Sequence, residues 1–89
     1  MSPIPNRLKR FRRDRGLSQR DVAQILGFRN SSMISRWEKG LVLPSTTNAF
    51  KLALIYRTMT DTLYTDLRES LKGEITKRED ALAQMNHHA

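Results

Sequence analysis

The chain of 89 residues contains no cysteine, which excludes disulfide bonds, thiolate metal sites and cysteine nucleophiles. It also lacks any apolar run near the roughly 20 residues that cross a bilayer, and no apolar stretch follows the N-terminal cations as in a signal peptide. We therefore expect a cytoplasmic protein with no membrane association. Its length allows one small domain with a modest core.

The groups that support catalysis or ligand binding are also scarce. The acidic residues are scattered, the serines have no evident His and acid partners, and 4 glycines are too few for a phosphate-binding loop. His87 and His88 are adjacent but have no nearby acidic cluster, so we expect them to be solvent-exposed and not metal ligands. We predict no enzyme activity, no metal and no cofactor, and no small-molecule ligand is evident.

Acidic residues are rare in the first half of the chain, and this asymmetry is informative. The formal net charge is +7; residues 1–40 hold 10 Lys or Arg and 3 Asp or Glu, whereas residues 41–89 hold 6 of each. A basic half beside a neutral half indicates an oriented surface for a polyanion such as nucleic acid. The alternative is a solvated cationic helix near the N-terminus.

Helix-forming segments and helix stops alternate along the chain, and they predict an all-α fold. Two prolines make residues 1–6 a short arm. Helices are expected over residues 7–15, over residues 19–26 after a Ser18 cap, and within residues 30–40 after Asn30 or Ser31. Glycines at positions 16, 27 and 40 are the expected stops. A fourth helix begins after Ser45 or Thr46 and is apolar on most sides, and a last segment runs from about Thr60 to Ala83.

The segment 30–40, NSSMISRWEKG, has two faces when it is drawn as a helix. Met33, Ile34 and Trp37 form an apolar face that can pack on a core. The opposite face carries hydroxyls and cations: Ser31, Ser32, Ser35, Arg36 and Lys39. Phe28 and Trp37 have the positions of core residues, although aromatic side chains can also stack on the bases of single strands.

The sequences RLKRFRRDRGLSQRDVAQILG and MISRWEKGLVLPS together resemble the Cro/repressor-type helix-turn-helix family, often called Xre-like. The resemblance covers roughly residues 7–64. It implies a compact five-helix repressor-like domain whose third helix enters the major groove of DNA. Residues 65–89 are then a C-terminal helical extension and tail.

The resemblance also implies roles for individual residues. The candidates for contact with base edges are Ser31, Ser32, Ser35 and Arg36, and an arginine can bind guanine O6 and N7 together. The candidates for phosphate contact are Gln19, Arg20, Arg29, Asn30, Lys39 and Arg10. Gln19 is expected to support the start of the recognition helix as well. Arg12 and Glu38 correspond to an ion pair between the first helix and the end of the third.

Two positions depart from the family pattern. Six residues, FRNSSM, separate Gly27 from Ile34 where common members have five, so the turn is one residue longer. Arg57 stands where the family often has glycine, which predicts a more continuous junction between the fourth and last helices. The first departure affects the start of the recognition helix more than it affects Arg36.

An apolar stripe in the last segment suggests a protein partner. Leu63, Leu67, Leu71 and Ile75 recur at four-residue steps and form a candidate dimer surface, although the first two could instead pack on the core. The overall prediction is a sequence-specific double-stranded DNA-binding transcriptional regulator, a repressor that works as a homodimer. One alternative is an antitoxin that binds a toxin through residues 65–89. Another is an RNA-binding or architectural protein without base recognition.

Overall fold

The computed structural model describes residues 2–87, apart from the side chain of His87, and every regular element in this range is a helix. The helices are α1 (Leu8–Asp14), α2 (Gln19–Leu26), α3 (Ser32–Glu38), α4 (Thr46–Ile55), α5 (Thr60–Leu63) and α6 (Thr65–His87). The predicted all-α class is therefore confirmed. No helix in residues 2–87 has the length and apolar character needed to cross a membrane. The predicted exposure of His87 and His88 concerns side chains outside the described residues.

The first five helices surround one core, and each contributes a fully buried aliphatic side chain. These side chains are Leu8, Val22, Ile34, Leu52 and Leu63. Burial of one such side chain stabilises a fold by about 1.5–3 kcal/mol relative to its exposed state. Each helix is short, so its position depends on this shared core more than on its own helix propensity. The core therefore fixes the relative placement of α1, α2 and α3.

The predicted helix signals lie where the helices begin and end. The side chain of Ser45 accepts a hydrogen bond from the backbone N–H of Asn48 at 3.2 Å, which caps α4. Helices α1, α2 and α3 are followed by glycines with positive φ, at positions 16, 27 and 40. Helix α4 contributes Leu52 to the core, whereas its apolar residues Phe50 and Leu54 are exposed.

Helix α4 ends in the same type of turn, but with an arginine in the left-handed position. Arg57 has a φ of 58°. The N–H of Thr58 donates to the carbonyl of Ala53 at 3.0 Å, and the N–H of Arg57 donates to Leu54 at 3.3 Å, which is a Schellman motif. The predicted continuous junction is therefore wrong: the chain reverses here, although this conformation costs an arginine about 1–2 kcal/mol.

The single last helix expected from Thr60 to Ala83 is also wrong, because the segment is divided at Tyr64. Tyr64 has φ −126° and ψ 39°, so α5 ends before it and α6 begins after it. Leu63 and Tyr64 are both buried, although they are adjacent in sequence. The break allows both side chains to reach the core, and the hydroxyl of Thr65 donates to the Thr62 carbonyl at 3.0 Å across the corner.

The candidate dimer stripe is therefore divided between the core and the surface. Leu63 is fully buried in the core, so the alternative that it packs on the core is confirmed and its assignment to the dimer surface is wrong. Leu67 is half-buried and packs against the core. Leu71 and Ile75 are exposed on α6, which extends beyond the five-helix core and gives the molecule its long dimension of 57 Å.

Candidate nucleic-acid interface

A capping box fixes the first turn of α2. The hydroxyl of Ser18 accepts from the N–H of Asp21 at 3.0 Å, and a carboxylate oxygen of Asp21 accepts from the N–H of Ser18 at 2.9 Å. The hydrogen bond from the Ser18 backbone is the largest cause that lowers the pKa of the Asp21 carboxyl, and the Ser18 side chain lowers it further. They define where α2 begins, and so they set the positions of Gln19 and Arg20 in its first turn.

Of the two residues expected to cap α3, Asn30 and Ser31, it is Asn30 that supplies the cap. The side-chain oxygen of Asn30 accepts from the N–H of Ser32 at 3.0 Å, whereas Ser31 makes no capping hydrogen bond. The ring of Phe28, just before this turn, lies edge-on to Trp37 with centroids 5.9 Å apart. Trp37 is buried, and Phe28 is half-buried and packs against the core.

An ion pair between α1 and α3 holds the end of α3 in place. The Nε and Nη2 atoms of Arg12 donate to the two carboxylate oxygens of Glu38 at 2.6 and 3.1 Å, in the pairing implied by the family resemblance. Arg12 also donates to the carbonyl of Leu17 at 2.9 Å. The Arg12 residue is only 8% exposed, and its hydrogen bonds with Glu38 raise the pKa of the guanidinium.

Gln19 connects α2 to the same pair. Its side-chain N–H donates to Glu38 at 3.0 Å, so α1, α2 and α3 meet at one carboxylate. The expectation that Gln19 supports the start of the recognition helix is wrong, because Glu38 is the last residue of α3. Glu38 is also the only acidic residue of α3, and its charge is neutralised inside the protein. The outer face of α3 is left without a carboxylate of its own.

The outer face of α3 presents the predicted base-contact residues. Ser32 and Arg36 are exposed, and Ser31 and Ser35 are half-buried. Met33, predicted on the apolar face with Ile34 and Trp37, is 40% exposed and is not part of the buried core. This face combines short hydroxyls with one long cation, which allows a close approach to a polyanion.

Three of the predicted phosphate contacts come together beside this face. Arg20, Arg29 and Asn30 line one open groove of about 350 Å³ next to Ser31. Lys39 lies at the other end of α3, in a groove formed with Ser2, Pro3 and Ile4 of the arm. Arg10 is exposed on α1 and lines neither groove.

The cations of α1 and its flanks do not all face outward. Arg7 lies 3.6 Å from the carboxylate of Asp66, and the Nε of Arg15 donates to the carbonyl of Ile55 at 3.1 Å. These two arginines have intramolecular partners. The remaining exposed cations on α1 are Lys9, Arg10 and Arg13.

The N-terminal arm is attached to the end of α3, and the residue that attaches it was missed in the sequence. The side-chain N–H groups of Asn6 lie 3.2 Å from the carbonyl of Trp37 and 3.3 Å from that of Glu38. The side-chain oxygen of Asn6 accepts from the N–H of Leu8 at 3.1 Å, at the start of α1. An asparagine just before a helix is a cap signal, so the contact of Asn6 with the start of α1 could have been predicted from the sequence. Its contacts with the end of α3 had no such signal.

Gly40 allows the arm to approach α3 closely. The N–H of Ile4 donates to the carbonyl of Gly40 at 2.8 Å. A Cβ at position 40 would lie 2.6 Å from the backbone nitrogen of Ile4 and closer still to its carbonyl oxygen, and φ is 73°. Both the close contact and the left-handed conformation therefore require glycine here.

A family model of the Cro/C1-type helix-turn-helix matches residues 8–61, which is more than half of the chain. The chain belongs to this helix-turn-helix family. No curated protein and no solved structure matches it significantly. The matched region begins in α1 and ends in α5, and it includes α2 and α3 in full. This helix-turn-helix protein therefore carries a DNA-binding domain of the kind found in transcription regulators. Among residues 2–87, no cluster of histidine and acidic side chains has the arrangement of a metal site.

Proposed function

We propose that this helix-turn-helix protein is a sequence-specific repressor that inserts α3 into the major groove of double-stranded DNA and acts as a homodimer. The observation that supports this most is the outer face of α3. Its hydroxyls and Arg36 are accessible, while the one carboxylate of the helix, Glu38, is bound by Arg12 and Gln19. A helix of this kind approaches base edges without electrostatic repulsion from its own acidic group.

Arg36 supplies the main base discrimination in this proposal. Its guanidinium can donate to O6 and N7 of one guanine, which is worth about 1–3 kcal/mol of discrimination against a wrong base. Ser31, Ser32 and Ser35 accept or donate to several bases and to phosphates, so they fit the groove closely but discriminate less. Sequence-dependent DNA shape supplies part of the remaining specificity.

The flanking cations hold the domain on the phosphate backbone. Arg20, Arg29 and Asn30 share a groove beside α3, and Gln19, Lys39 and Arg10 complete the proposed phosphate contacts. Each phosphate that a cation neutralises steepens the log–log salt dependence of binding by about 0.9. The measured slope therefore counts the phosphate contacts made by the cations, and Gln19 and Asn30 do not contribute to it.

Repression by site occupancy requires a stable complex, and a homodimer provides one by binding two half-sites. Half-sites on one face of B-DNA are about 34 Å apart. The exposed residues Leu71 and Ile75, together with the half-buried Leu67, form the proposed dimer surface on α6. A dimer bound over a promoter would exclude RNA polymerase.

The test is selection of binding sites from random duplex DNA by the full chain and by an Arg36→Ala variant. We expect an inverted repeat, with a preference that relaxes at one base pair per half-site in the variant. Lys77→Ala, which removes one charge from the exposed face of α6, is the matched control and should select the unchanged site. The absence of any enriched site would overturn the proposal and favour RNA binding or an architectural role.

A second candidate is an antitoxin that binds DNA through the same domain and a toxin through residues 65–89. The observation that favours it is the exposed apolar side chains of α6, beyond the family match. Co-expression with the product of a neighbouring reading frame tests it. A complex that survives purification and requires Leu71 and Ile75 would support the antitoxin function, and a chain recovered without that product would contradict it.

A further inference from the structure

We propose that α6 pairs with α6 of a second copy as an antiparallel two-stranded coiled coil. This inference deepens the proposed homodimer and rests on it. Its three supports are the spacing of exposed apolar residues, the charges beside them and the length of the helix.

The apolar residues of α6 continue well beyond the stripe at Leu71 and Ile75. Leu71, Ile75, Leu82 and Met85 are 49, 54, 57 and 72% exposed. With Arg78 between them, they follow alternating steps of four and three residues, which is the a and d spacing of a coiled coil. The pattern of four-residue steps begins with Leu63, which is buried in the core. The heptad pattern begins at Leu71 instead and lies entirely on the exposed part of α6.

Helix α6 has little to stabilise it within one copy. Every side chain of residues 68–86 is exposed, whereas helices in proteins gain most of their stability from tertiary packing of an apolar face. An open groove of about 600 Å³ begins at Tyr64 and Leu67 beside the five-helix core and continues along α6 past Ile75 to Glu79. A second helix laid in this groove covers the apolar residues of both copies.

The charges beside the heptad positions select the direction of pairing. In a parallel pair, Glu74 at a g position meets Glu79 at the e position of the second copy, and two Arg78 side chains share one layer. The proposed antiparallel register sets Leu71 opposite the second copy's Leu82. In this register Lys72 meets the second copy's Glu79, and because the pair is symmetric this contact occurs twice in each dimer. Arg78 lies opposite the second copy's Ile75, and it already pairs with Glu74 of its own helix at 2.9 Å.

The length of α6 is consistent with an antiparallel pair that binds two DNA half-sites. A helix of 23 residues spans about 35 Å, so an antiparallel pair centred near its midpoint places the two attached domains at opposite ends. The distance of about 35 Å joins the N-terminal ends of the two α6 helices, and it is of the same order as the roughly 34–36 Å between half-sites on DNA. The same register places the second copy's Met85 beside Arg68, at the end of the groove formed by Tyr64 and Leu67.

The absence of cysteine from the chain makes a direct cross-linking test possible. Leu71→Cys and Leu82→Cys are prepared as single variants and oxidised separately and as an equal mixture, without DNA. Two cysteines form a disulfide when their Cα atoms are within about 7 Å. The antiparallel register brings position 71 to the second copy's position 82, whereas two copies of position 71 lie about 16 Å apart along the axis.

We expect a disulfide-linked dimer in the mixture and little in either single variant. Lys77→Cys, on the outer side of the helix, is the control and should not cross-link with either variant. Self-linked Leu71→Cys would show a parallel pair, and the absence of any cross-link would show that copies do not pair through this face. Either result overturns the inference.

A charge variant tests the same register while leaving the apolar residues in place. In the antiparallel pair, Glu79→Lys faces Lys72 and should raise the dimer dissociation constant about fivefold in sedimentation equilibrium at low salt. Lys72→Glu combined with Glu79→Lys should restore it. In a parallel pair, Glu79→Lys faces Glu74 and would tighten the dimer instead. Neither measurement uses DNA. If the copies fail to pair through α6 while the chain still selects a DNA site, this inference is refuted and the proposed DNA recognition is not.

Discussion

The five-helix core and α6 both contain aliphatic residues but are stabilised in different ways. Each of α1 to α5 places a fully buried aliphatic side chain in one core, whereas the leucines at positions 71 and 82 of α6 remain exposed. An ion pair in the first region, Arg12 with Glu38, is buried, and one in the second, Arg78 with Glu74, is exposed. The first region is therefore complete in one copy, and the second is the region for which we propose a partner. The same substitution should have different effects in the two regions.

The largest difference is expected for removal of a carboxylate. Glu38→Ala leaves the buried Arg12 guanidinium without its partner, which should lower the free energy of unfolding by about 3–5 kcal/mol. Glu69→Ala removes an exposed partner of Arg68 and should cost about 0–1 kcal/mol. Urea denaturation followed by circular dichroism measures both. Equal effects would mean that the buried pair does not hold α3 in place.

Alanine in place of glycine should change stability in opposite directions in the two regions. Gly40→Ala puts a Cβ against the Ile4 backbone at a positive φ, and should cost about 2–3 kcal/mol. Gly73→Ala on α6 meets no atom within 4 Å and should stabilise that helix by up to about 1 kcal/mol. Thermal unfolding and helix content measure the two changes. A neutral Gly40→Ala would contradict the close contact between the arm and α3.

A glycine introduced at position 57 should stabilise the five-helix core. Arg57→Gly relieves the left-handed conformation of an arginine, although glycine also increases the entropy of the unfolded chain. The net gain should be roughly 0.5–1 kcal/mol in urea denaturation. Arg57→Ala keeps the positive φ on a residue with a side chain and serves as the control, with little gain expected. A loss of stability in Arg57→Gly would indicate that the arginine side chain makes a contribution larger than this strain.

A further effect is expected at alkaline pH, and it concerns the boundary between the two regions. Burial raises the pKa of Tyr64 from its ordinary 10.0 to about 12, so the fold favours the neutral phenol. This contribution is complete below pH 10 and is lost as the pH rises from 10 towards 12. Tyr64→Phe should weaken the alkaline loss measured by urea denaturation at several pH values. An unchanged profile would mean that Tyr64 does not titrate in a buried site.

Features with a local sequence signal were predictable. Ser18 and Ser45 cap their helices as expected, and helices end before the glycines at 16, 27 and 40, because caps and left-handed turns depend on a few neighbouring residues. The pair of Arg12 and Glu38 is separated in sequence, and only the family resemblance indicated it.

Features that depend on the assembled core were not predictable. Arg57 has no intrinsic preference for a positive φ, and the core imposes it. The break at Tyr64 arises because two adjacent side chains are buried, which a helical periodicity cannot represent. Burial of Leu63 and the contact of Asn6 with the end of α3 likewise depend on which helices meet in space. The candidate DNA-contact residues were identified through the family motif, and their roles remain proposals.

The most direct test of the central claim, that the outer face of α3 recognises base sequence, is a comparison of two duplexes. The affinities of the unmodified chain and of Arg36→Ala are measured for the selected operator and for its scrambled sequence at the same salt concentration. We predict that the variant loses about tenfold or more in affinity for the operator but much less for the scrambled duplex. Equal losses on both duplexes would contradict the account, because Arg36 would then contact only phosphates.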